Sequence, residues 1–381
     1  MYHLALKMLF GDRAKYAMLL GGLTFSALLM TQQNGVFQGL LSWTTSNLRN
    51  MRASIWVVER TVEQVNETKA MRDTDVNRVR SVTGVDYAVP LFQSVLKART
   101  AGGADKPILL VGLHGATLKG RPPQMLEGDL EQLRLPNRVV IDELATKRLS
   151  SGLGRPLRVG DNFEINDREA RVVGICRTER QFFGYPYVFT TYDQALQYAP
   201  RQRKMLSIIL AEPKPGLSAE HVGRMIERET GLKAFTVPEF SAATLDFIWK
   251  NTGIPASFMT TIILGFVVGI AIAGQTFYSF VLENLRHLGA LKAMGAGNGL
   301  LARMLLLQAF TVGLLGYGIG IGLTAAFGWI ATSFGGGAFP FVFKPAAMIL
   351  TGGAVIVICL FSALLGIRRV ATLDAAIVFR G

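Results

Sequence analysis

The sequence predicts an α-helical membrane protein with four transmembrane helices and one α+β extracytoplasmic domain inserted between helices 1 and 2. Three observations carry this prediction. Half of the 381 residues are hydrophobic, and the mean hydropathy is positive, unlike that of ordinary soluble domains. The apolar runs cluster near the N-terminus and after Pro255, whereas the stretch between them reads as a soluble domain. The short segments that join the apolar runs are basic on one side only.

Residues 1–15 form a cytoplasmic N-terminal segment. In YHLALKMLFGDR, Leu6, Leu9 and Phe10 recur at helical spacing beside Lys7 and Arg13, a pattern that suits an amphipathic helix on the inner membrane surface. A plain extension of the first span accounts for it equally. Residues 16–41 hold transmembrane helix 1 and a stalk. Its apolar core, 17–36, just reaches the ~20 residues that cross a bilayer and is weakened by Gln32, Gln33 and Asn34. A basic start before an apolar core also resembles a signal peptide, but no small-residue cleavage site follows, so an uncleaved anchor is expected.

Residues 42–255 form the periplasmic α+β domain. Strands are expected at 54–58, 87–98, 108–111, 138–141, 163–165, 171–175, 187–191 and 206–210. Helices are expected at 142–149, 192–198, 218–230 and 238–250, the last as a stalk toward the second span. Gly102-Gly103, Pro122-Pro123 and the run from Pro213 to Gly216 punctuate them. Transmembrane helix 2 (256–282) carries no charge, and a cytoplasmic loop (283–303) follows. Transmembrane helix 3 (304–333) is rich in glycine. A short periplasmic loop (334–345), transmembrane helix 4 (346–367) and a cytoplasmic C-terminus (368–381) complete the chain.

Orientation follows from Lys and Arg in the short segments. Lys7, Arg13 and Lys15, then Arg286, Lys292 and Arg303, then Arg368, Arg369 and Arg380 share one side, whereas Lys344 is alone on the other. Both termini are therefore cytoplasmic. Topology accounts for about half of the formal charge of +13; the outer domain holds 30 Lys and Arg against 24 Asp and Glu, without a basic run of five. Nucleic acid is excluded as a partner. Cys176 in the outer domain and Cys359 in the fourth span lie in different compartments and cannot pair within one chain.

Catalytic signatures are missing. A phosphate-binding Gly-x-x-x-x-Gly-Lys-Ser/Thr loop is absent, so any ATP is bound by another chain. His3, His114, His221 and His287 are far apart, no Cys-x-x-Cys or Gly-x-Ser-x-Gly occurs, and His114 reads as structural. No metal, cofactor or catalytic residue is expected in this chain. In span three, Gly316/Gly320 and Gly318/Gly322 have the small-xxx-small spacing that lets membrane helices approach, within or between subunits. Gln275 and Gln308, costly in lipid, are expected to face other helices. The segment 180–186 (RQFFGYP) reads as an exposed loop, with Phe182, Phe183 and Tyr185 as candidate partner contacts.

In the inner loop ENLRHLGALKAMGA (283–296), Leu285, Leu288 and Leu291 form an apolar stripe beside Arg286, His287 and Lys292. By charge alone, a solvated basic loop is the favoured reading. The loop resembles the signature of FtsX/MacB-type permeases of ABC transporters, E-R-x-R-E-I-G-x-L-K-A-x-G-A. Glu283, Arg286, Gly289, Leu291, Lys292, Ala293, Gly295 and Ala296 match; Asn284, His287 and Leu288 depart. ALKMLFGDRAKYAMLLGGL, VVIDELATKRL, VGDNFEINDREARVVGI and RRVATLDAAIVFRG are similar to further parts of the family, the last through Leu373, Asp374 and Arg380 with Ala375 in place of proline. The DevC-like branch is the most similar.

The resemblance implies a permease subunit whose Glu283, Arg286, Leu288, Gly289, Leu291, Lys292 and Gly295 contact a separate ATPase holding ATP and Mg. It further implies a second permease subunit (a homodimer), a periplasmic adaptor and an outer-membrane channel. The chain would sit in a bacterial inner membrane, its large domain periplasmic, and transmit ATP-driven motion outward for export or efflux. The same complex could instead serve lipoprotein release or cell-wall hydrolase regulation, although FtsX proper has a smaller outer domain. A membrane-anchored enzyme or receptor without an ATPase is the reading of another class.

Overall fold

The computed structural model describes residues 2–11, 13–334 and 339–372. The C-terminal matches Leu373, Asp374 and Arg380 lie outside the described residues. The chain opens with α1 (Tyr2–Gly11) and α2 (Arg13–Thr44). The outer segment supplies α3 (Ser46–Asn50), β1 (Ile55–Val58), α4 (Asp75–Arg80), β2 (Val85–Arg99), β3 (Asp105–Leu113), β4 (Gln124–Gly128), β5 (Arg138–Asp142) and α5 (Glu143–Arg148). It continues through β6 (Asn162–Ile165), β7 (Arg168–Arg177), β8 (Tyr187–Thr191), α6 (Tyr192–Tyr198), β9 (Ile208–Pro213), α7 (Ala219–Thr230), β10 (Lys233–Thr236) and α8 (Val237–Asn251). Then come α9 (Ile254–Glu283), α10 (Leu285–Ala293), α11 (Asn298–Phe334) and α12 (Pro345–Ala371). Helices α2, α9, α11 and α12 are long and apolar enough to cross a membrane. The chain divides into a membrane unit, residues 1–40 with 253–381, and an outer unit, residues 41–252.

In the membrane unit, small residues set the helix contacts, as expected where lipid removes the hydrophobic drive between helices. On α9, Gly265 and Gly269 face α2, and Ser26 Oγ donates to the Gly265 carbonyl at 2.8 Å. On α11, a Cβ at Gly316 would lie 2.9 Å from Leu23 Cβ, and one at Gly320 would lie 2.8 Å from Ala27 Cβ. This pair therefore seats α11 on α2 of the same chain. A Cβ at Gly318 or Gly322 would meet nothing within 4 Å, so the second pair is open.

Two sequence expectations change here. Helix α1 turns Ala5 and Leu9 inward and leaves Leu4 and Phe10 exposed, rather than presenting Leu6, Leu9 and Phe10 as one apolar face. The buried Gln308 of α11 is the reason: its Nε2 donates to the Ala5 carbonyl at 2.7 Å and draws α1 against α11. Gln275, by contrast, does not face another helix of this chain. It is exposed beside the buried Gly274 and Phe277, on an open groove of about 850 Å³ between α9 and α12.

The loop before α12 straps the end of α2. The Phe341 ring lies where side chains at Gly35 and Gly328 would be, and Gly39 abuts the Pro340 backbone. Val342 N–H donates to the Gly35 carbonyl at 3.0 Å, and Lys344 Nζ to Gln38 Oε1 at 2.8 Å.

The outer unit is α+β. Its sheet runs β10-β1-β9-β2-β3-β8-β5-β7-β4, with β6 bridging β2 and β7. The long β2 joins the halves: Val85 to Leu91 pair antiparallel with β9, and Phe92 to Arg99 with β3. The β3–β8 and β5–β7 pairs are parallel. β1 is buried at all four positions, its Trp56 against Phe240 of α8. Trp56 is thus a core residue and not a contact surface.

Local chemistry fixes the helix ends. Ser218 caps α7, which stops at Gly231 in a left-handed conformation (φ +72°) that suits glycine. Thr236 and Glu239 form a capping box for α8. Asp142, almost fully buried, caps α5 by accepting from Ala145 N–H at 2.7 Å. It also accepts from Tyr187 N–H and Thr178 Oγ1.

Candidate functional site

Glu283 ends α9, and Asn284 breaks the helix there. The Asn284 side chain donates back to the Phe280 carbonyl at 2.9 Å, leaving α10 to begin as a separate short helix. At the other end, Gly295 has φ +96°, a conformation that a residue with a Cβ adopts only at a cost. Gly295 and Ala296 N–H close the turn on the Lys292 and Leu291 carbonyls, and the chain re-enters α11 at Asn298.

Two faces of α10 divide its residues. Leu288, Gly289 and Leu291 are buried, with both leucines in a cluster that includes Leu9 of α1, Phe280 of α9, Leu301 and Leu305 of α11 and Val370 of α12. Leu285 packs at its edge. Arg286, His287, Ala293, Met294 and Gly295 are exposed, Met294 at 75 % of its surface. Two polar ties fix the ends. Glu283 forms an ion pair with Lys15 at the start of α2, and Lys292 Nζ donates to the Ala371 carbonyl, 3.4 Å away at the end of α12. A lysine there complements the negative end of the α12 dipole.

Of the seven motif residues singled out in the sequence, three are therefore internal packing, two are ties to α2 and α12, and Arg286 and Gly295 lie on the open face. His287 and Met294 join them there. Neither was a sequence candidate: His287 departs from the family signature, and Met294 occupies one of its variable positions. Helical phase places Arg286 opposite the Leu288/Leu291 stripe but leaves residue 287 at its flank, and Met294 lies just past the end of α10, so spacing alone marks neither of these two.

The second candidate is the loop of residues 178–186. Phe183 is exposed and stacks on Tyr185 (5.7 Å, 14°), while Phe182 meets Phe183 edge to face. The loop is pinned from beneath. Asn50 of α3 exchanges hydrogen bonds with the Glu179 backbone in both directions at 2.7 Å, Arg49 pairs with Glu179, and Tyr187 OH donates to Asn47. Arg148 holds the Gly184 carbonyl at 2.5 Å.

Burial raises the Asp142 carboxyl to about 6, against the three hydrogen bonds that lower it. Burial likewise pushes the Cys176 thiol up, which keeps it inert. His114 bonds Thr117 Oγ1 in the turn after β3, and burial lowers its basicity, with Arg80 adding to the effect; this is a structural histidine. No group of three metal-ligating side chains occurs among the described residues.

Residues 17–229 match the family model of the MacB-like periplasmic core domain, and residues 258–375 match that of the FtsX-like permease C-terminal. A Mycobacterium tuberculosis uncharacterized ABC transporter permease is 28% identical over 313 residues, 81% of this chain and 79% of that relative. The macrolide export ATP-binding/permease protein MacB of Bordetella avium is 27% identical over 222 residues, 56% of this chain and 33% of that protein. Among solved structures, the periplasmic region of MacB from Actinobacillus actinomycetemcomitans matches with a TM-score of 0.38 at 13% identity. The match covers 54% of this chain and 96% of that one.

Proposed function

The chain belongs to the FtsX-like permeases of ABC transporters that carry a MacB-like periplasmic core domain, and on that premise we propose that it transmits ATP-driven motion from an ATPase to its outer domain. The observation that carries this reading is the two-faced α10. Its Leu288 and Leu291 join the core shared by the spans, Lys292 ties it to α12 and the adjoining Glu283 ties α9 to α2, while Arg286, His287 and Met294 are exposed. A push on such a helix displaces the spans as a body rather than bending a loop. The ATP and Mg belong to the ATPase, since this sequence has no phosphate loop. The Bordetella avium relative, named for both ATP-binding and permease functions, supports that association.

In this reading two copies of the permease pair above two ATPase subunits in a bacterial inner membrane. Both termini are cytoplasmic and the outer domain is periplasmic. The loop with Phe182, Phe183 and Tyr185, fastened to α3, is a candidate contact for a partner outside the membrane. Export or efflux through a periplasmic adaptor and an outer-membrane channel is the job it fits.

Co-purification tests the reading. The ATPase that accompanies the wild-type chain should be lost from Arg286→Glu and Met294→Glu, with both variants folded in the membrane. Retention of the ATPase in both would contradict it.

A further inference from the structure

Gln308 finds the Ala5 carbonyl, but Gln275 makes no hydrogen bond among the described residues, nor does the Tyr278 hydroxyl. At a rise of about 1.5 Å per residue, Gln275 lies about 12 Å along α9 from Glu283, and Tyr278 about 7.5 Å. An amide at that depth is costly in hydrocarbon unless it finds a hydrogen-bond partner. Both side chains open on the groove of about 850 Å³ between α9 and α12, whose apolar walls include Ile270, Ala271, Phe361 and Leu365. Close packing makes its floor. A Cβ at Gly274 would lie 3.5 Å from Leu365 Cδ1, and one at Gly366 would lie 2.9 Å from Val281 Cγ2.

The groove ends in positive charge. On α12, Phe361 and Leu365 are followed at helical spacing by Arg368 and Arg369, so the stripe that walls the groove runs into two arginines. Both are exposed and make no ion pair among the described residues, while Glu283, the acid at that end of α9, pairs with Lys15. The bond from Lys292 to the Ala371 carbonyl brings the ends of α9 and α12 to one side and adds a third cation at this level.

We propose that the α9–α12 groove binds one anionic glycerophospholipid from the leaflet at this end of the helices. An acyl chain lies along Ala271 and Phe361, Gln275 and Tyr278 donate to ester carbonyls, and Arg368 and Arg369 hold the phosphate. The order of groups matches: apolar walls deepest, neutral donors next, cations at headgroup level. Charge selects an anionic headgroup, since each basic side chain near an anionic lipid surface contributes about 1 kcal/mol. A second copy of the chain suits the groove less, because a two-fold axis would bring two Arg368/Arg369 pairs together at the same depth. The inference rests on the four helices spanning a bilayer and is independent of whether α10 engages an ATPase.

The test titrates the full chain in detergent with phosphatidylglycerol or phosphatidylcholine and reads retained lipid by native mass spectrometry. Phosphatidylglycerol should bind about tenfold or more tighter. The double variant Arg368→Gln, Arg369→Gln should reduce that preference to within about twofold, and Arg368→Lys, Arg369→Lys should restore most of it. Gln275→Leu should weaken both lipids about two- to tenfold and keep the preference. The control pair Arg13→Gln, Arg303→Gln, exposed cations of α2 and α11, should change binding less than about twofold. Equal losses from the two arginine pairs, or no headgroup preference in the wild type, would overturn the proposal. So would a Gln275→Cys chain, with Cys176 and Cys359 replaced by Ala, that forms disulfide-linked dimers in membranes while Gln275→Leu leaves lipid retention unchanged; that result would assign the groove to a second copy.

Discussion

The Phe341 ring fills the space that a side chain at residue 35 would need: a Cβ on Gly35 would sit 2.5 Å from Cε2 of that ring. The glycine pair Gly35/Gly39, four residues apart on α2, thus receives a loop and not a helix. With Val342 bonded to Gly35 and Lys344 to Gln38, the segment before α12 is a brace on the end of α2. Gly35→Leu should destabilise the purified chain by about 1–3 kcal/mol, read as a lower thermal unfolding midpoint. Adding Phe341→Ala should recover part of the loss, because it removes the clashing ring. A Gly35→Leu chain as stable as wild type would show that the ring does not sit there.

The two glycine pairs of α11 should behave differently. Gly316→Leu and Gly320→Leu drive a side chain into Leu23 and Ala27 and should cost about 1–3 kcal/mol each. Gly318→Leu and Gly322→Leu meet open space and should leave the unfolding midpoint of the isolated chain unchanged or raised. Equal losses at all four positions would place both pairs in the same contact.

Asp142 makes the outer domain's stability depend on pH. Burial pushes its folded carboxyl up to about 6, above the ordinary aspartate value of about 3.9. The native state therefore holds the proton more tightly than the unfolded state between these values. This stabilisation is complete below about pH 4 and is lost as the pH rises through about 6, by at most about 3 kcal/mol. In Asp142→Asn that component of the slope should vanish. The overall midpoint should also fall, because an amide has a single oxygen and cannot accept both from Ala145 N–H, now on Oδ1, and from Tyr187 N–H and Thr178 Oγ1, now on Oδ2. An identical pH slope in the variant would assign it to other groups.

Packing and docking residues of α10 should separate by stability. Leu288→Ala opens the buried cluster and should cost about 2–4 kcal/mol. Arg286→Glu, on the exposed face, should stay within about 0.5 kcal/mol of wild type. Thermal unfolding of both in the same detergent decides the matter.

Much of the fold was legible because hydropathy, charge and turn chemistry report it directly. The uncharged run of α9, the glycines of α11 and the Ser218 cap each point to the element found there. Strands β4 and β10 were missed for a physical reason. QMLEG is an exposed edge strand without β-branched residues, and KAFT is only four residues long, so neither shows a buried alternation. Helix α11 begins at Asn298, six residues before the expected boundary at 304, because the helix continues beyond the apolar core and includes Arg303.

The candidate site was legible as a motif but not as a geometry. The residue pattern marks 283–296 as a unit, yet it does not separate Leu288, which packs inward, from Arg286, which faces out. That division depends on the phase of a nine-residue helix against four spans. The ties of Glu283 to Lys15 and of Lys292 to Ala371 link residues far apart in the chain, beyond the reach of spacing rules. The exposed amide of Gln275 was likewise misplaced, since composition does not reveal helical phase.

Cysteine cross-linking along α10 tests the central claim most directly. In a Cys176→Ala, Cys359→Ala background, single cysteines at residues 286, 287, 288, 291 and 294 are oxidised in membranes that contain the ATPase. Transmission through α10 predicts cross-links to the ATPase from residues 286, 287 and 294 and none from the buried 288 and 291. No cross-link from any exposed position, or equal cross-linking from all five, would contradict the account.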